Sequence, residues 1–306
     1  MNILKFFILF FSLTISNSFA FNGTDKPLNV IIPFVPGGGT GIYFNQFQKY
    51  ALEEKKTNLV ALYRGGAEGI VGTSIAEQSD PDGYTALFTN PATLAHYLTK
   101  HPDKSFEYVS LIRNSVWALV ASPNSKIKNY NDLVDEFKRP NSSISYAYGA
   151  TSHKLVFTQL FKFNKVKYDP LLVPYKGGSQ QMNDLMSGQV DIGTMSYVSA
   201  KPYIDSGKLV LLGVMTRNPA SNIPNVPVMN KLYPEWRQAD GILVVLPKNT
   251  PPKAVEFWKN LVQSYMQDTK VQKEFVDTFS EVDKFGPEHA KFVVDKLVES
   301  LSADGK

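Results

Sequence analysis

The sequence contains no cysteine among its 306 residues. That absence excludes disulfides, thiolate metal sites and cysteine nucleophiles together. An excess of one charge is missing too: 32 Lys and Arg face 28 Asp and Glu with no basic cluster, which argues against nucleic acid as a partner. Histidine is scarce, and His96, His101 and His289 lack a carboxylate or second histidine at metal-ligand spacing. Neither a metal nor any other cofactor is expected. The phosphate patterns are absent as well: Gly37 is followed five residues on by Ile42 with no lysine after it, and Gly37-x-Gly39 would need glycine where Ile42 stands. G-x-S-x-G does not occur, and no histidine pairs with a nucleophile at a known local spacing, so a catalytic site is not expected.

Long apolar runs are confined to the start. MNILKFFILFFSLTISNSFA carries one early charge, Lys5, then an apolar run from Phe6 to Ile15, then Ser18-Phe19-Ala20. That order describes a cleaved secretory signal peptide over residues 1–20, with a run too short to span a bilayer. The mature chain is therefore expected to be an exported, soluble protein. Removing Lys5 leaves 31 basic residues against 28 acidic ones, enough for a weak pull on acidic small molecules.

The remainder alternates two hydrophobic textures. Short apolar runs occupy Leu28 to Phe34, Leu59 to Tyr63, Tyr84 to Phe88, Trp117 to Ala121, Ile144 to Tyr148, Leu171 to Pro174, Val190 to Met195, Leu209 to Met215 and Ile242 to Leu246. They are rich in β-branched and aromatic residues, as buried strands are. Stretches with apolar residues three and four apart lie between many of them, including Ile42 to Ala51, Leu155 to Phe161 and Met182 to Met186. Three more helices are expected after Thr250. This is the arithmetic of an α/β protein with sheets wrapped by helices. The paired runs within Val109 to Ala121, and the late run after Gly241, suggest two chain crossings. The expected lobes are residues 21–121 with 242–306, and residues 122–241, with a ligand cleft between them.

Four glycine-bearing turns follow predicted strands and open predicted helices: Pro36 to Gly41, Arg64 to Gly69, Gly149 to His153 and Lys176 to Ser179. Backbone N–H groups at helix N-termini form anion sites without cationic side chains. A carboxylate, planar and content with two or three donors, suits these turns and the hydroxyls of Thr40, Thr151 and Ser152.

At these residues the chain resembles the substrate-binding proteins of tripartite tricarboxylate transporters, the Bug family of periplasmic receptors. The matching pieces are PFVPGGGTG, RGGAEGIVG, SDPDGYTALF, GATSH, VPYKGG, MSGQVDIGTMS, LVLLGVMTRNPASNIPNVPVM and LVVLPKNTPPKAV, in the family's order. The resemblance implies a bilobal periplasmic-binding-protein fold of the Venus-flytrap, type II-like kind, with two crossing strands. It implies a monomer that captures a small carboxylate and delivers it to membrane permease subunits of such a transporter. A receptor feeding a sensor kinase is the alternative that the sequence leaves open, and an exported hydrolase is a remoter one.

Carried over by position, the resemblance assigns ligand binding to Phe34, Gly38, Gly39, Thr40, Gly41, Thr89 and Asn90 in the first lobe. In the second it assigns Gly149, Thr151, Ser152, His153 and Ser196. The chain departs from the family at Gly41, where an aspartate is usual, at Gly65-Gly66, where proline-glycine is usual, at Glu68, where glycine is usual, and at Ala150, where threonine or serine is common.

Individual side chains have competing readings. His153 can donate to a ligand carboxylate or bond within its own turn. Asp80 and Asp82 read as turn chemistry around Pro81 and Gly83. Asp191 reads as a brace, Arg64 and Lys176 as solvated basic residues, and Phe34 with Tyr43 as a lid.

Overall fold

The computed structural model of the chain describes residues 21–113, 116–216, 226–233, 241–277 and 286–303. The predicted signal peptide lies outside them. Apolar alternation builds the first lobe. It contains β1 (Leu28–Ile32), α1 (Gly39–Lys55), β2 (Leu59–Tyr63), α2 (Ile70–Glu77), β3 (Thr85–Thr89), α3 (Pro91–Lys100) and β4 (Phe106–Arg113). The second follows with β5 (Trp117–Ala121), α4 (Tyr130–Phe137), β6 (Ser145–Tyr148), α5 (Thr151–Phe163), β7 (Leu171–Pro174), α6 (Gly178–Ser187), β8 (Ile192–Ser196), α7 (Tyr197–Asp205), β9 (Val210–Met215) and α8 (Met229–Leu232). The chain then returns to the first lobe through β10 (Ile242–Pro247), α9 (Pro252–Gln267), α10 (Thr269–Asp277) and α11 (Pro287–Ala303).

The two five-stranded sheets have one plan. The first runs β2-β1-β3-β10-β4 and the second β7-β6-β8-β5-β9. In each, the strand that arrives from the other lobe is antiparallel to its neighbours: β10 between β3 and β4, β5 between β8 and β9. Both faces of the inner strands of both sheets are buried, which is why these strands read as continuous apolar runs. Leu28, Val30 and Ile32 point into one cluster of the first lobe while Ile31 points into the other. Trp117, Leu119 and Ala121 face one side of the second sheet, Ala118 and Val120 its opposite side. Helices with apolar stripes cover these faces, and Trp258 of α9 is fully buried with its Nε1–H donating to the Gly83 carbonyl at 2.9 Å.

One expected boundary moves. Trp117–Ala121 pairs with β8 and β9, so the segment placed in lobe one belongs to the second sheet. The first crossing therefore falls between Arg113 and Trp117 instead of near Ser122. An apolar run buried on both faces does not reveal which sheet it joins.

The lobes meet across the cleft. Tyr43 Oη and Ser196 Oγ share a hydrogen bond of 3.0 Å. Ser179 Oγ donates to the Pro36 carbonyl at 3.1 Å, and Thr151 Oγ1 donates to Glu68 Oε2 at 2.9 Å. Glycine makes this approach possible. A Cβ on Gly39 would lie 2.4 Å from Ser196 Cβ, and one on Gly177 would lie 2.4 Å from Val35 Cγ2, distances inside van der Waals contact.

Candidate ligand cleft

A cavity of about 60 Å³ lies between the lobes. Four helices present their N-termini to it: α1 through Gly38 to Gly41, α5 through Gly149 and Ala150, α6 through Gly178 and α7 through Ser196. None of the four has a side-chain cap. Elsewhere capping does occur: Asn129 and Asp132 form a capping box on α4. The first N–H groups of a helix have no partner within it, so the convergence concentrates donors and positive helix-dipole ends on one small space. Among the described residues the lining includes no Lys, Arg, Asp or Glu.

Of the twelve residues assigned by resemblance, Phe34, Gly38, Gly39, Thr40, Gly41, Asn90, Gly149, His153 and Ser196 line the cavity. Thr89, Thr151 and Ser152 do not. Thr89 is fully buried in β3. Thr151 is engaged by Glu68, and Ser152 lies buried in the first turn of α5 with its hydroxyl unpartnered among the described residues.

His153 resolves toward its own turn. Its Nδ1 accepts the Gly149 N–H at 3.0 Å, which places the ring proton on Nε2, and Trp117 packs edge-on with centroids 4.3 Å apart. Burial lowers its pKa to about 3, against an opposing hydrogen bond with Gln181. The imidazole is thus neutral at pH 7 and brings no positive charge to a ligand. It also consumes the Gly149 N–H, removing one donor from the expected set.

Asn90 caps α3 by accepting the Thr93 N–H at 2.8 Å, which commits its oxygen and leaves its amide N–H groups as its contribution. Phe34 and Tyr43, the expected lid, both line the cavity and are buried. Tyr43 is held from behind: the Arg113 guanidinium stacks 3.8 Å from its ring centroid and donates to Gln46 Oε1 at 2.9 Å. Arg113 ends β4 where the chain leaves the first lobe, so the crossing and the lid are one packed unit.

Trp117 was not among the assigned residues. Its apolar run marked it as a core strand residue, yet it lines the cavity, and its buried Nε1–H has no partner among the described residues. Met195, Ile242 and Ala150 add apolar wall. The remaining sequence candidates lie apart. Asp82 Oδ1 accepts the Tyr84 N–H at 2.9 Å beside Gly83 at φ +89°, closing the turn. Asp191 accepts from the Ser145 backbone and hydroxyl. Arg64 and Lys176 are exposed away from the lining.

Residues 44–300 match the family model described as the tripartite tricarboxylate transporter family receptor. The chain belongs to that family. Protein BugT of Bordetella pertussis is 27% identical over 259 residues, covering 82% of this chain and 79% of BugT. The structure of the periplasmic binding protein BugD superposes with a TM-score of 0.80 at 25% identity, over 91% of this chain and 96% of that one. MatC from Rhodopseudomonas palustris with bound malate shares the fold at a TM-score of 0.80 and 20% identity, over 90% of this chain and 98% of that one. Members of this group are binding proteins and not enzymes, and two α/β lobes around a cleft are their common architecture. Among the described residues, no helix is long and apolar enough to cross a membrane.

Proposed function

We propose that this receptor works in the periplasm, after loss of its signal peptide, capturing a small carboxylate and delivering it to the membrane permease of a tripartite tricarboxylate-type transporter. One observation carries the reading: four uncapped helix N-termini from two lobes converge on a cavity that no charged side chain lines among the described residues. Fixed N–H dipoles between two packed lobes bind an anion without reorganising. A cation would meet the positive ends of four helices there, and a solute without acceptor oxygens would leave donors unmet. The malate bound by MatC is an example of such an anion in a neighbour of the same fold.

Closure selects the liganded state, because only apposed lobes let both contact one anion. A ligand bound to the native state alone raises Tm, by a free energy of about 2.7 kcal/mol at a hundredfold excess over Kd. Differential scanning fluorimetry of the mature chain with mono-, di- and tricarboxylates tests this, and a flat response to all of them at millimolar concentration would sink it. Co-purification from membranes with permease subunits tests the delivery step.

A further inference from the structure

We infer that Glu68 places a carboxylate of the protein's own at the α5 end of the cleft and so restricts this receptor to ligands carrying a single carboxylate. The inference rests on the carboxylate reading above and narrows it. Glu68 comes from the first lobe and reaches the second, where its Oε2 accepts from Thr151 Oγ1 at 2.9 Å. Thr151 is the first residue of α5 and is buried. The acid therefore meets the positive end of a thirteen-residue helix whose own N-cap, Ala150, has no side chain to offer.

The backbone is bent to deliver it. Ala67 and Glu68 lie at φ +45° and +56°, the left-handed region that residues with a Cβ adopt at a cost. Such strain persists where surrounding contacts over-determine it, and the Thr151 bond is one such contact.

Glu68 and Thr151 do not line the cavity themselves; the α5 turn reaches it through Gly149 and Ala150, so the Glu68 charge stands behind that wall, next to Ala150 in the chain through its bond to Thr151. What remains is about 60 Å³ enclosed by Trp117, Phe34, Met195 and the α1 turn. One carboxylate fits the α1 N–H groups, with the Trp117 Nε1–H, buried and unpartnered among the described residues, as a further donor. A second carboxylate directed toward α5 would approach Glu68, and like charges in a partly desolvated site repel. The groups near Glu68 do little to cancel it. His96 on α3 is held below the usual histidine pKa by burial and then by Lys100, so it is neutral at pH 7. Tyr148 brings no charge, and Lys154 is exposed to solvent.

Isothermal titration of the mature chain with propionate, butyrate and lactate, against succinate and malate, tests the inference. In the wild-type protein the dicarboxylates bind at least tenfold more weakly than the best monocarboxylate. In Glu68→Gly, which accepts the left-handed φ without strain, the ratio of dicarboxylate to monocarboxylate affinity rises at least tenfold. In Glu68→Gln, which removes the charge but keeps the bulk, the ratio rises by a smaller factor. Wild-type affinity for succinate or malate equal to that for the monocarboxylates overturns the inference alone, as does an unchanged ratio in a folded Glu68→Gly variant. Silence of both proteins toward every carboxylate overturns the carboxylate reading and the inference with it.

Discussion

The two lobes share a strand order and differ in what their cleft turns still have to offer. In the first, the Gly38–Gly41 turn opens α1 with no cap and no side chain competing for its N–H groups. In the second, the corresponding turn is partly engaged: His153 takes the Gly149 N–H, and Glu68 from the opposite lobe takes the Thr151 hydroxyl. The first lobe grips through this turn, and the second grips through the uncapped starts of α6 and α7 instead. The lesson is that a repeated topology fixes where donors collect, while a few side chains decide how many remain available.

The sharpest way to break this contrast is through pH at His153. Its folded pKa is about 3, and an unfolded histidine titrates near 6.5. The unfolded chain thus binds the extra proton first, so this group's contribution to stability is complete above about pH 6.5. It falls by up to about 1.4 kcal/mol per pH unit as pH drops toward 3. Urea midpoints measured from pH 7 to pH 4 reveal that slope, and His153→Leu flattens it.

Next in size is Gly39→Ala. Its Cβ would stand 2.4 Å from Ser196 Cβ, which lies on the opposite lobe, so the lobes must part while each retains its fold. Ligand affinity drops at least tenfold, about 1.4 kcal/mol, and the radius of gyration from solution scattering rises. An unchanged radius would mean that the glycine turn does not control closure. Tyr43→Phe is milder: it deletes one hydrogen bond to Ser196 across the cleft, costing about 1 kcal/mol of closure, read as a fivefold weaker ligand. Asn90→Ala removes the cap of α3, within the first lobe. It lowers stability by about 1 kcal/mol in denaturant titration.

Much of this architecture is legible in the chain because its cause is local. The runs around Val30, Leu119 and Val244 are apolar on both faces because both faces are covered, and the glycine turns stand where strands give way to helices. What resists reading depends on partners far away in sequence. Trp117 looks like any core strand residue until β5 is brought beside the cavity. The contact of Thr151 with Glu68 spans 83 positions and has no periodic trace. The first crossing is misplaced for the same reason, since the short polar break Arg113-Asn114-Ser115 between apolar β4 and β5 does not say which sheet either run joins. The cap of α4 is the converse case: Asn129 with Asp132 carries a helix-start signature that the apolar spacing alone passes over.

The crossing strands have a mechanical consequence. Neither β5 nor β10 is an edge strand; each is stitched between two neighbours, one place in from the edge of its sheet. Torque at the linker is therefore carried inside each half and spread through main-chain ladders on both sides of the strand, with no loose selvage to peel away. Each half swings as a stiff plate, and a sub-ångström adjustment at the pivot becomes a coordinated displacement at the rim.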